Sequence, residues 1–220
     1  MPRSLWRLPP VGLTVGIVLY AVAMAYFEAA VVVYLRAALG VPTGTVFPID
    51  LSPAAMPYGW IEVGREGATL VMIGAVAWIV GRSPLERLAW AGVVFGTWDI
   101  GYYAWLWVLS GWPPAVGTWD LLFLLPAPWA GPVWAPIAVS AALIGFGLAC
   151  AGRLRSGASV RFERRHLGAL LLGGAIIIAS FLLNAGVVLG GGTPTSFAWP
   201  IFVAGMGIGV AAAWMALRPT

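Results

Sequence analysis

From Val11 to Leu35 the chain carries a single charged residue, Glu28. A run of that length is too long for the core of a signal peptide and long enough to cross a bilayer as a helix. Further apolar runs follow at short intervals, so the fold has to form in lipid. We read an all-α integral membrane protein with six transmembrane helices, over residues 11–39, 60–80, 88–109, 133–151, 167–189 and 198–217. No composition break divides the chain, which makes 1–220 one polytopic domain. Charged residues make up only 9% of the sequence, against about 25% in soluble domains. The 13 tryptophans suit the membrane–water interface.

Charge distribution gives the orientation. Every basic residue is an arginine. Arg3, Arg7, Arg82, Arg87, Arg153, Arg155, Arg161, Arg164, Arg165 and Arg218 lie at the termini or in the second and fourth connections. The first, third and fifth connections have none, apart from Arg36 at the edge of the first. Six spans put all the arginine-bearing segments on one side. The positive-inside rule makes that side the cytoplasm, with both termini inside, in the cell inner membrane. This distribution also accounts for the pI of 9.7 without nucleic acid. The absence of lysine excludes a retinal-type Schiff base, a pyridoxal-phosphate lysine and a phosphate-loop lysine. One Cys and one His leave no disulfide framework, zinc site, iron–sulfur cluster or bis-histidine haem within the chain.

The stretch Trp60–Thr69, WIEVGREGAT, departs most from an ordinary span. The uncharged run behind it, Gly67 to Val80, has only 14 residues. At about 1.5 Å per residue that covers roughly 21 Å, short of a hydrocarbon core of about 30 Å. Glu62, Arg65 and Glu66 therefore enter the outer half of the membrane, on one helix face. Glu28 reaches the same depth on the first helix, with Arg36 near the outer interface. Asp99 lies near mid-membrane on the third, with Thr97, Tyr102 and Tyr103 as nearby hydrogen-bonding groups. Asn184 of the fifth helix falls in the outer half as well. Four carboxylates and two arginines thus share one layer. At about 2.5–3.5 kcal/mol per charge at a helix centre, leaving them uncompensated would cost on the order of 10 kcal/mol.

Two readings compete for these residues. Glu62 and Glu66 fit helix-terminus chemistry, favoured by the positive end of the helix dipole. They also fit a candidate acidic site with Asp99 and Glu28, tuned by Arg65 and Arg36. Glu28 and Arg36 read best as a structural ion pair, and Asp50 and Asp120 as solvated loop residues. The connection 111–132, rich in Pro and Trp, reads as an extracytoplasmic interfacial cap, and alternatively as a re-entrant segment carrying Asp120 toward Asp99. The tetrapeptide Gly96–Asp99 recurs as Gly117–Asp120, with no known chemistry attached. Gly205 and Gly209 suit close helix packing within the chain, and alternatively a homodimer face. His166 reads as interfacial and Cys150 as packing.

Functionally, the layer is expected to bind or move a cation or a proton-coupled small substrate. No cofactor is expected, and oxygen-only ligands such as Glu62, Glu66 and Asp99 would take only a hard divalent cation. The alternatives are a non-catalytic membrane subunit or assembly factor with a structural polar layer, and an intramembrane enzyme acting on a lipid. The partners expected are the bilayer and other membrane subunits.

Overall fold

The computed structural model describes residues 9–42, 46–47, 49–50, 52, 55–158, 160 and 162–218. Arg3, Arg7 and Arg161, used above for orientation, lie outside the described residues. Helices α1 (Val11–Ala38), α2 (Met56–Val80) and α3 (Pro84–Ser110) come first. A hairpin of β1 (Trp119–Phe123) and β2 (Trp129–Pro132) follows, then α4 (Trp134–Arg155), α5 (Arg164–Leu182), the short α6 (Ala185–Leu189) and α7 (Trp199–Leu217). Five helices are long and apolar enough to cross a membrane: Val11–Ala38, Pro57–Val80, Trp134–Arg155, Arg164–Leu189 and Trp199–Leu217. The fourth of these combines α5 and α6 across a break at Leu183 and Asn184.

α3 is the exception in composition and the centre in packing. Its 27 residues extend roughly 40 Å, but Trp, Tyr, Thr97 and Asp99 dilute its apolarity. It packs most extensively on α4 and α1, and also on α2. Neighbouring helices therefore surround its polar residues, and Trp90, Val93, Val94 and Leu106 are fully buried. Ser83 caps its start by accepting the Glu86 N–H at 3.2 Å, and Gly111, with φ 71°, ends it in the left-handed conformation that favours glycine.

Small residues set the closest helix contacts. A Cβ at Gly96 would lie 2.5 Å from the Ser140 carbonyl oxygen of α4, so only glycine permits that approach. Gly173 of α5 faces Gly205 and Gly209 of α7 in the same manner: a Cβ there would lie 2.9 Å from both the Gly205 oxygen and the Gly209 nitrogen. Gly205 is thus packed within the chain, whereas a Cβ at Gly209 would meet nothing within 4 Å.

The chain is not purely helical. Between α3 and α4 the expected cap folds as an antiparallel hairpin, with Trp119 opposite Pro132 and Asp120 opposite Gly131. It packs inward onto the helices. Trp129 stacks on Phe181 of α5 at 6.2 Å, and Phe123 stacks on Phe95 of α3 at 6.3 Å.

At the opposite end of the bundle Glu86 is buried. It accepts from Arg155 Nε at 2.5 Å, Trp90 Nε1 at 3.3 Å and the Arg82 backbone N–H at 2.9 Å. Arg155 also donates to the Val80 carbonyl at 2.9 Å, which joins the ends of α2, α3 and α4. His166 is buried here and closes a capping box with Glu163 at the start of α5. Cys150 lies in the packed core.

Candidate functional site

The acids expected in one layer gather at one end of the bundle, where α1 ends, α2 begins and the hairpin returns. They surround a cavity of about 650 Å³ between α1, α2, α3 and the hairpin. Glu28, Asp50, Glu62, Glu66, Asp99 and Asp120 line it, together with Arg36 and Arg65. The rest of the wall is largely apolar and aromatic, including Val32, Trp60, Trp98, Phe123 and Leu125.

On α2 the helix begins at Met56, six residues before Glu62, and no acid falls in its first turn. Helix-terminus chemistry therefore does not account for Glu62 or Glu66. Two apolar, largely uncharged turns ahead of Glu62 extend the helix beyond the start expected at Trp60. The 3.6-residue period places Arg65 beside Glu62, and its Nε and Nη2 donate to that carboxylate at 2.8–3.1 Å. The other arm of the guanidinium pairs with Glu28 of α1. Thr69, one turn after Arg65, donates to the second Glu28 oxygen at 2.5 Å. Arg65 thereby serves two carboxylates on two helices.

That arrangement corrects the expected Glu28–Arg36 pair. Arg36 instead lies over the Trp112 ring, 4.5 Å from its centroid. Two turns along α1 separate Arg36 from Glu28, and Arg65 reaches across from α2 more directly. Glu66, 7% exposed, accepts the Leu124 N–H through both oxygens at 3.0 and 2.9 Å. A helical carboxylate thus caps the turn of the hairpin.

Asp99 is buried on α3, and Ser140 Oγ of α4 donates to its Oδ2 at 2.8 Å. The glycine contact at Gly96 sets this distance, because it lies one turn from Asp99 and admits the Ser140 backbone. Tyr102 lines the cavity, while Tyr103 donates its hydroxyl to Asp120 at 3.0 Å. Asp120 is only 3% exposed, so it is not a solvated loop residue: the hairpin turns it inward onto the wall that holds Asp99. Asp50 does remain exposed, at the mouth, and accepts the Ser52 N–H at 2.8 Å.

Two expected members are not brought in. Thr97 lies off the cavity wall. Asn184, half-buried at the break between α5 and α6, donates to the Ser196 carbonyl at 3.2 Å. Sequence reasoning in turn passed over Thr69, Ser140 and Trp98. Thr69 was within reach, since it follows Arg65 by four residues on the same face. Ser140 is the one hydroxyl inside the fourth apolar run. Among the described residues no group of three or more His, Cys, Asp or Glu side chains is placed to hold a metal ion. Glu62, Glu66 and Asp99 turn instead to separate protein partners. Comparison of the chain with protein-family models, with curated proteins and with solved structures returns no match.

Proposed function

We propose that the protein spans the cell inner membrane six times, with α3 as the sixth span and both termini in the cytoplasm, and that the acidic cavity opens toward the outer side and binds a small organic cation. The observation that carries this reading is the composition of the wall: six carboxylates against two guanidinium groups around one cavity of about 650 Å³. Ligand pockets for small molecules occupy about 300–1,000 Å³ and are largely apolar with a few placed polar groups. A bare metal ion would leave most of this volume unused, whereas an amine with a short apolar body fills it. The acids supply the charge complement and the aromatic wall supplies contact for the body.

Isoamylamine (3-methylbutan-1-amine) tests the reading. It should raise the unfolding temperature of the purified protein beyond the effect of matched sodium chloride, saturably. At a hundred times its dissociation constant a ligand adds about 2.7 kcal/mol to stability. Glu62→Gln or Asp99→Asn should remove much of that response. Equal responses to isoamylamine and sodium chloride in the wild type would rule the site out.

One observation favours the second reading, a structural polar layer in a membrane subunit. Glu28, Glu62, Glu66, Asp99 and Asp120 each bond to a group of this chain. An intramembrane enzyme has less support. Ser140, the hydroxyl beside Asp99, is fully buried and does not line the cavity.

A further inference from the structure

The six carboxylates of the cavity are not equivalent. Glu28 and Glu62 share Arg65, and Glu66 is taken up by the Leu124 N–H. Asp50 is exposed at the mouth. Asp120 accepts from Tyr103 and also feels the charge of Arg36. Of the buried acids, Asp99 alone has no cation acting on it among the described residues, and the charge it does feel is that of another acid, Asp120. It is only 8% exposed. Ser140 occupies its Oδ2, while Oδ1 is neither bonded nor sealed off from the cavity that Asp99 lines. A carboxylate at that depth calls for a positive partner or a proton.

Tyr102 follows Asp99 by three residues along α3, on the same face. Its ring lies between Trp98, stacked at 6.5 Å, and Tyr103, edge-on at 5.1 Å. Its hydroxyl has no hydrogen-bond partner among the described residues and is not sealed off from the cavity, which Tyr102 lines. The charges of Arg36, Arg65, Glu62 and Asp120 all act on it, which puts it among the polar groups of the wall. A hydroxyl oxygen accepts N–H donors, as a carboxylate oxygen does. We infer that Asp99 Oδ1 and the Tyr102 hydroxyl seat an ammonium through its N–H groups, so that Tyr102 makes the site select primary amines over quaternary ammonium ions. This rests on the cation reading above and specifies its ligand class. A quaternary ion brings the same charge, and aromatic rings such as Trp98 attract it. It has no N–H for either oxygen, however, and charge-assisted hydrogen bonds are the stronger contact.

Isoamylamine and its N,N,N-trimethyl derivative share one apolar body and one charge, and differ in their N–H groups. Each is titrated into the purified protein in a non-ionic detergent, and the dissociation constants are compared. The wild type should bind isoamylamine at least roughly tenfold more tightly than the trimethyl ion. Tyr102→Phe keeps the ring and removes the hydroxyl, and should weaken isoamylamine enough to bring that ratio to within about threefold. The ratio is the readout, because general damage to the wall weakens both probes alike and leaves it unchanged. Should the variant not fold, the wild type decides: N,N-dimethylisoamylamine keeps one N–H when protonated and should bind between the other two. A smaller preference in the wild type, a dimethyl form that binds no better than the trimethyl ion, or a ratio that survives Tyr102→Phe overturns the inference. Binding of the probes without the expected preference leaves the cation reading in place. Failure of all of them to bind removes the cation reading as well.

Discussion

Glu66 accepts the Leu124 N–H through both carboxylate oxygens, at 3.0 and 2.9 Å, and so ties the middle of α2 to the turn of the hairpin. The two residues are 58 positions apart, and this bond closes one side of the cavity. Glu66→Ala should release the turn. Hydrogen bonds to charged groups contribute about 1.5–3 kcal/mol, so exchange of the Leu124 amide should accelerate by roughly one to two orders of magnitude. Hydrogen exchange resolved to residues 121–128 measures this. Unchanged protection at Leu124 would show that strand pairing alone holds the hairpin.

Arg65 is the shared cation of Glu28 and Glu62, and both carboxylates are nearly buried. Arg65→Met removes the charge, keeps much of the stem, and leaves two acids facing each other. Breaking a buried pair on one side costs about 3–5 kcal/mol. Adding Glu28→Gln to Arg65→Met should recover part of the loss, because one stranded charge is then gone. Unfolding of the wild type, both single variants and the double variant in one detergent forms the cycle. A double variant no more stable than Arg65→Met would refute the shared-cation account.

Gly96 and Gly92 lie one turn apart on the same face of α3 and should respond in opposite directions. A Cβ at Gly96 would meet the Ser140 oxygen at 2.5 Å, whereas at Gly92 the nearest atom is the Leu143 oxygen at 3.5 Å. Gly96→Ala should destabilise by about 1–3 kcal/mol through overpacking and separate Ser140 from Asp99. Gly92→Ala should be neutral or stabilise by up to about 1 kcal/mol, from helix propensity. Thermal unfolding of the two variants compares them directly.

The orientation has its own check. With Cys150→Ala removing the one native thiol, Asp50→Cys and Arg164→Cys each place a single cysteine at an exposed position. In intact cells a membrane-impermeant maleimide should label Asp50→Cys and leave Arg164→Cys unlabelled until the membrane is opened. The reverse pattern would invert the proposed topology and put the cavity on the cytoplasmic side.

The helices were legible because lipid imposes a simple local rule, a long run of apolar residues, which α1, α2, α4, α5 and α7 obey. The gathering of Glu28, Glu62, Glu66 and Asp99 was legible for the same reason, since depth can be counted along a helix. Their partners were not. Ser140 meets Asp99 across 41 residues and Leu124 meets Glu66 across 58, and both depend on helix packing and on the hairpin. Asp120 looked solvated because its own neighbours are loop-like. Its burial comes from Tyr103, 17 positions earlier. The choice of Arg65 over Arg36 for Glu28 depends on how α2 faces α1, which no local spacing encodes.

The central place of α3 bears on how the protein is made. A segment with Asp99 at its middle partitions poorly into lipid by itself, because an acid at a helix centre costs about 2.5–3.5 kcal/mol. What compensates it comes largely from α4, which is translated later and carries Ser140. A nascent chain that ends after Ser110 should therefore leave α3 outside the bilayer, and one that extends through Arg155 should retain it. Glycosylation mapping of the two truncations reads this directly. On the proposed topology, with α3 as the sixth span, synthesis of this protein should contain a waiting step: its innermost helix stays at the insertion machinery until the next one emerges from the ribosome.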